Sequence, residues 1–168
     1  MPNSYLAINQ VLIRNEQEMR AFGASLIGAC EHGGVITLSG ELGTGKTTLV
    51  RGALQAQGVD SGVRSPTYTL LEYYPLQHFA VAHFDLYRLG DGEELEYLGY
   101  RDYLNRQTLC LIEWPERAAG YLNAVDLAID LDYDNAGRRL ELTAGSDWGS
   151  ELISRLNALK PGKSSVLF

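Results

Sequence analysis

Lysine is almost missing from this chain. Lys46 stands alone before Lys160, and arginine supplies the positive charge elsewhere in that span. The formal net charge is −7, which argues against a free-standing nucleic-acid binder, since such a protein needs a basic face to release counterions. A place in a complex whose partner holds the nucleic acid stays open. Cysteine is scarce too. Cys30 and Cys110 sit in apolar company without metal-ligand spacing and read as buried thiols of a reducing compartment. No run approaches the length of a membrane span, and the N-terminus lacks a basic start followed by a long apolar stretch, so a cytoplasmic protein is expected. With 168 residues, 45% hydrophobic and 21% charged, the chain has the size and composition of a single globular domain.

The one early lysine lies in the most informative segment. Residues 39–48 read Ser-Gly-Glu-Leu-Gly-Thr-Gly-Lys-Thr-Thr, which contains the phosphate-binding pattern Gly40-x-x-x-x-Gly45-Lys46-Thr47. Glycines let successive backbone N–H groups turn inward around phosphate oxygens. Lys46 supplies a point charge for β- and γ-phosphates, and the Thr47 hydroxyl suits Mg²⁺. A chance match in a chain this rich in glycine is on the order of one in a hundred. The context strengthens it: Val35–Leu38 is a β-branched run suited to a buried strand, and Leu49, Val50, Ala53 and Leu54 repeat at helical spacing up to Gly58. Strand, loop, helix is the order the motif requires, with the helix dipole adding positive potential.

Elsewhere the patterns are those of an α/β chain. Tyr5–Ile13 alternates loosely, as a first strand does. Asn15 and Glu18 mark a helix start, Met19, Phe22, Leu26 and Ile27 its apolar face, and Gly33-Gly34 its stop. Leu70–Tyr74 and Phe79–Phe84 predict a hairpin-like pair turning at Pro75–His78, and Asp91–Leu98 a short helix. Thr108–Glu113 is a second continuous apolar run, read as a buried strand. Leu127–Leu131 and Leu140–Leu142 alternate around the turn Asp134–Gly137, as antiparallel strands do. Trp148, Leu152, Ile153, Leu156 and Leu159 mark a last amphipathic helix, and residues 161–168 read as a loose tail beyond a domain of residues 1–160.

Nucleotide hydrolysis needs acids beyond the loop, one to help hold Mg²⁺ and one to orient or deprotonate water. Acids that end an apolar strand beside the loop strand are placed for this. Asp85 and Glu113 both fit, and for each a helix cap or strand-end turn is the competing reading. Ser65-Pro66-Thr67-Tyr68-Thr69 lies where a γ-phosphate-sensing switch belongs, or is a plain polar loop. His78 and His83 receive no role; His83 fits simple pairing within its strand. The tyrosines of 68–103 are dense, and the surface around Tyr97, Tyr100 and Tyr103 reads either as a docking face or as core packing. Arg101–Arg106 reads as a solvated helix end better than as a kinase lid. Asn-Lys-x-Asp and Leu-Ser-Gly-Gly-Gln are absent, which removes the small-GTPase and transporter-ATPase readings. An ATP hydrolase, a small-molecule kinase and a nucleotide-dependent binding module remain.

Four motifs in order complete a known combination: Gly40–Thr48, Ser65–Leu70, His83-Phe84-Asp85-Leu86-Tyr87-Arg88-Leu89, and Leu111-Ile112-Glu113-Trp114-Pro115-Glu116. From Glu16 to about Leu159 the chain closely resembles the bacterial TsaE (YjeE) family, the ATPases of tRNA threonylcarbamoyladenosine biosynthesis. The resemblance implies a single α/β domain of the P-loop NTPase type, its mixed, largely parallel sheet flanked by helices. It implies ATP and Mg²⁺ as cofactors, and action with a TsaD-like threonylcarbamoyl transferase and its TsaB-like paralogue, tRNA being met only through that complex. Leu42, Gly43, Thr44, Gly45, Lys46, Thr47 and Thr48 would hold the phosphates, and Thr47 and Glu113 would be the Mg²⁺ ligands. Asp85 would be the catalytic or water-orienting acid, acting beside Lys46. Trp114 would be the aromatic that responds to nucleotide, and Glu16 and Arg138 would lie on the adenine and ribose side. Arg64 and Arg88 are candidate arginine fingers.

Overall fold

The computed structural model describes residues 8–59, 63 and 66–159. The start of the expected first strand (residues 5–7), Arg64, Ser65 and the tail at 161–168 lie outside the described residues. The chain runs β1 (Ile8–Ile13), α1 (Glu16–Ala29), β2 (Gly34–Ser39), α2 (Lys46–Ala56), β3 (Leu71–Pro75), β4 (Ala80–Asp85), α3 (Glu93–Tyr97), β5 (Thr108–Glu113), β6 (Leu127–Asp134), β7 (Gly137–Ala144) and α4 (Asp147–Ala158). Short 3₁₀ turns at Tyr100–Tyr103 and Pro115–Ala118 flank β5.

The helix ends follow local chemistry. Asn15 Oδ1 accepts the Glu18 N–H at 2.9 Å and starts α1. The Glu18 carboxylate takes the Arg14 N–H at 2.7 Å, one residue before the cap. Ser146 caps α4 through the Gly149 N–H at 3.1 Å. α1 stops earlier than the glycine pair suggested, at Ala29, with Cys30 extended behind it. Gly33 and Gly34 belong instead to the approach to the sheet: a Cβ on Gly33 would lie 2.2 Å from the Thr108 carbonyl oxygen.

One seven-stranded sheet has the order β1-β7-β6-β2-β5-β4-β3. Its centre is parallel, since β2 pairs with both β5 and β6, and β4 pairs with β5. Antiparallel strands close both sides: β7 on β6, β1 on β7, and β3 on β4 in the expected hairpin. β4 and β5 are buried along their whole length, as strands covered on both faces must be.

Alternation along these strands builds two cores. On one face Ile36, Leu38, Val81, Leu109 and Leu111 pack under the apolar stripes of α1, α2 and α4. On the other face Ala82, Phe84, Cys110 and Ile112 meet Leu86, Leu89, Leu95 and Tyr100. α1 and α2 approach closely because glycine sits on each. A Cβ on Gly23 would fall 2.0 Å from the Leu49 carbonyl oxygen, and one on Gly52 2.3 Å from that of Arg20.

The docking face considered around Tyr97, Tyr100 and Tyr103 does not form a continuous surface. Tyr100 is core, packed edge-on against Phe84 at 5.7 Å, and Tyr103 leans on the same ring at 5.9 Å. Only Tyr97 of the three is open to solvent, at 84% exposure. Arg101 pairs with Glu96 at 2.9 Å and is largely exposed, as a solvated helix end is. Both cysteines are buried free thiols, and desolvation pushes each up to about 12. No helix among the described residues is long and apolar enough to cross a membrane.

Candidate active site

The loop between β2 and α2 turns on glycines with positive φ: Gly40 at 152°, Gly43 at 81° and Gly45 at 106°. Side chains are excluded there on steric grounds. α2 begins directly at Lys46, and its first turn has no side-chain cap. Its leading N–H groups and the positive end of its dipole therefore face the loop cavity, the arrangement that receives an anion.

Lys46 is only 5% exposed. Its Nζ donates to the carbonyl oxygens of Gly40 and, at 2.9 Å, of Glu41, and lies 4.1 Å from the centre of the Trp114 ring. Burial holds its pKa below the ordinary lysine value, a lowering opposed by the carboxylates of Glu113, Glu116 and Asp85. Trp114 is bound into this position by a backbone in the left-handed region, φ 58° and ψ 51°, an uncommon conformation for a bulky residue.

The two acids are brought side by side. β4 and β5 run parallel with Asp85 opposite Glu113 at their carboxyl ends, next to β2 and the loop it feeds. Both carboxylates are buried. The Thr47 hydroxyl donates to Glu113 Oε1 at 2.8 Å. His83 Nε2 sits 2.8 Å from the other oxygen, Glu113 Oε2. Asp85 Oδ2 accepts from the Thr67 hydroxyl at 3.3 Å, and Oδ1 accepts from the Tyr87 N–H at 3.1 Å. Thr67 thus ties the predicted switch segment to the predicted catalytic acid.

Two clefts flank the loop and share Gly43, Gly45 and Thr48. One, about 380 Å³, holds Lys46, Thr47, Asp85, Glu113, Trp114, Leu42, Thr67 and Tyr87. The other, about 240 Å³, lies between the start of α1 and the β6–β7 turn and holds Glu16 and Arg138 with Ile13, Asn15, Met19 and Thr44. Every residue expected to touch the nucleotide lines one of these clefts. Of the two candidate arginine fingers, the described one, Arg88, lines neither cleft. Arg64 lies outside the described residues, and the Arg88 guanidinium rests 4.5 Å over the Tyr68 ring.

Two contributors were not legible as site residues. His83 faces the same side of β4 as Asp85, two positions apart, and only the register against β5 reveals its partner. Tyr133, near the end of β6, donates its hydroxyl to the Leu42 carbonyl at 2.6 Å. Arg138, across the hairpin, lies 4.4 Å over the Tyr133 ring and donates to the Gly43 carbonyl at 3.1 Å. The hairpin therefore braces the exposed side of the loop.

The donor set fits Mg²⁺. Thr47 and Glu113 offer hard oxygen atoms at one point beside the phosphate cradle, and no group of three His, Cys, Asp or Glu suited to a metal occurs among the described residues. A cation held here would complete its shell with phosphate oxygens and water, as Mg²⁺ characteristically does.

Comparison with known proteins bears on the family and the fold. The family model described as threonylcarbamoyl adenosine biosynthesis protein TsaE matches residues 13–140. A relative from Haemophilus influenzae named tRNA threonylcarbamoyladenosine biosynthesis protein TsaE is 48% identical over 120 residues, covering 71% of this chain and 76% of its own. One of the same name from Rickettsia felis is 32% identical over 149 residues, covering 88% and 86%. The crystal structure of Bacillus subtilis YdiB superposes with a TM-score of 0.73 at 25% identity, covering 92% of this chain and 97% of its own.

Proposed function

The chain belongs to the TsaE family, and from that membership and the two clefts we propose that it is a Mg²⁺-dependent ATP hydrolase serving tRNA threonylcarbamoyladenosine synthesis. The observation that carries the reading is the Thr47–Glu113 hydrogen bond of 2.8 Å, formed beside a buried Lys46 and in register with Asp85. A loop without these acids would bind phosphate; the acids add what hydrolysis needs.

In this reading the adenosine lies in the cleft of Glu16 and Arg138, and the triphosphate crosses the loop toward Asp85. Lys46 exchanges the Gly40 and Glu41 carbonyls for β- and γ-phosphate oxygens, and backbone N–H groups of the loop and of the first turn of α2 take the rest. Mg²⁺, held by Thr47, Glu113 and phosphate, would neutralise charge as the terminal bond breaks. Asp85, held by Thr67 and Tyr87, orients the attacking water and accepts its proton. Water adds to the γ-phosphorus, the bond to the bridging oxygen breaks, and ADP and phosphate leave. In this reading turnover is slow in isolation and a partner completes the site. The partners are a TsaD-like transferase and its TsaB-like paralogue. The acidic chain would meet tRNA only through them.

Labelled ATP should yield inorganic phosphate and no phosphorylated acceptor; a reproducible acceptor product would establish a kinase instead. Reconstitution with the partner subunits should give modified tRNA with this protein and not with its Asp85→Ala variant. Modification that survives Asp85→Ala would make this a nucleotide-dependent binding module whose hydrolysis is incidental.

A further inference from the structure

His83 is a polar ring in a strand that otherwise reads Ala-Val-Ala-His-Phe-Asp, and it is fully buried. Placing an imidazole there costs free energy that valine or leucine would not. Its second nitrogen, Nδ1, is buried with no hydrogen-bond partner among the described residues. Packing alone does not account for histidine at this position. The contact with Glu113 does. A carboxylate has no proton to give, so Nε2 carries the hydrogen and donates to Oε2 at 2.8 Å. The opposite oxygen, Oε1, receives the Thr47 hydroxyl at 2.8 Å.

These two bonds fix the plane of the carboxylate from both ends. They also fix the hydroxyl of Thr47, whose proton points at Glu113 and whose lone pairs are left for a cation. The sheet makes this possible, because His83 lies opposite Leu111 in the β4–β5 register and reaches diagonally along the same face to Glu113. We propose that His83 is a positioning residue for the cation site, clamping Glu113 so that Glu113 and Thr47 present their oxygens together. The inference rests on the reading of Thr47 and Glu113 as Mg²⁺ ligands. Hydrogen bonds behind a metal ligand are commonly worth about 10–100-fold in metal affinity.

The test is Mn²⁺ binding to the ADP complex, read by the loss of free-ion signal in electron paramagnetic resonance, together with ADP binding in EDTA. His83→Leu should bind ADP in EDTA like the parent and need about tenfold or more Mn²⁺ to fill the site. His83→Gln, whose side-chain amide reaches as far as Nε2, should recover most of the loss. His83→Asn, equally polar but too short, should not, and this pair decides the matter if the leucine variant fails to fold. Parent-like Mn²⁺ affinity in His83→Leu, or equal losses in Gln and Asn, would overturn the proposal while leaving the ATPase reading intact. A parent protein whose ADP complex takes up no Mn²⁺ would overturn that reading and this inference with it.

Discussion

The same substitution, glycine to alanine, should have opposite signs at two helical positions, and the difference tests how the nucleotide clefts are held together. Gly52 of α2 faces α1, where a Cβ would lie 2.3 Å from the Arg20 carbonyl oxygen and 2.4 Å from its Cα. Both are backbone atoms and cannot rotate away, so the helices must part. Overpacking of this kind costs about 1–3 kcal/mol, offset by the roughly 0.5–1 kcal/mol that alanine gains over glycine in a helix. Gly52→Ala should therefore lose up to about 2.5 kcal/mol, a Tm lower by as much as roughly 10 °C in a chain of this size. Gly28, exposed on α1, has nothing within 4 Å of its added Cβ, so Gly28→Ala should gain about 0.5–1 kcal/mol. The consequence reaches the proposed function, because α1 carries Glu16 and Met19, which line one cleft, and α2 carries Lys46 and Thr47, which line the other. Equilibrium urea unfolding and ADP titration of both variants are the assay. Gly52→Ala should weaken ADP binding, and Gly28→Ala should leave it alone. A Gly52→Ala protein as stable as Gly28→Ala would refute the close-approach argument.

Removing the Tyr133 hydroxyl should loosen the phosphate loop at its Leu42 carbonyl. Tyr133→Phe should cost about 1 kcal/mol of loop preorganisation, or up to about fivefold in ADP affinity by calorimetry, and unchanged affinity would remove the bracing role. The buried thiols set an alkaline limit on stability. Cys30 and Cys110 are raised from 9.0 to about 12, so above pH 9 the folded state keeps protons the unfolded state loses. Stability then falls as pH rises, by at most about 1.4 kcal/mol per pH unit for each thiol, and is flat in this respect below pH 8. Urea midpoints between pH 7 and 10 should show the fall, Cys110→Ala should lessen it, and a rise with pH would contradict the burial argument. Trp114, 4.1 Å from Lys46 Nζ, should change its fluorescence when nucleotide binds, whereas Trp148, stacked on His32, should not. The Trp148→Phe and Trp114→Phe variants separate the two, and an equal response from both would remove Trp114 as the reporter.

Much of this is legible in the sequence, because it depends on short-range pattern. The loop is a contiguous motif whose glycines have stereochemical reasons, and Asp85 and Glu113 each end an apolar run. The hairpins announced themselves by alternation around turn residues. What stayed hidden depends on register and on which face a residue takes. His83 is an isolated histidine in sequence and becomes a partner of Glu113 only when β4 is set beside β5. Tyr133 touches the loop from a hairpin far away in the chain. Tyr100 sits in a tyrosine-dense segment that composition reads equally well as surface or core, and its packing on Phe84 decides for core. Gly52 reads as an ordinary weak spot in a helix until α1 is laid against it.

The central claim is that Asp85 and the neighbouring Thr47–Glu113 pair turn a phosphate-binding loop into a hydrolase, and Asp85→Asn examines it most directly. The substitution keeps the shape of the side chain and an oxygen for the Thr67 hydroxyl or the Tyr87 N–H, while removing the group that takes the proton from water. Single-turnover phosphate release, measured with saturating ATP and Mg²⁺ in the presence of the partner subunits, should slow by about 100-fold or more, with ATP still bound about as tightly. Phosphate release at the parent rate would contradict the account.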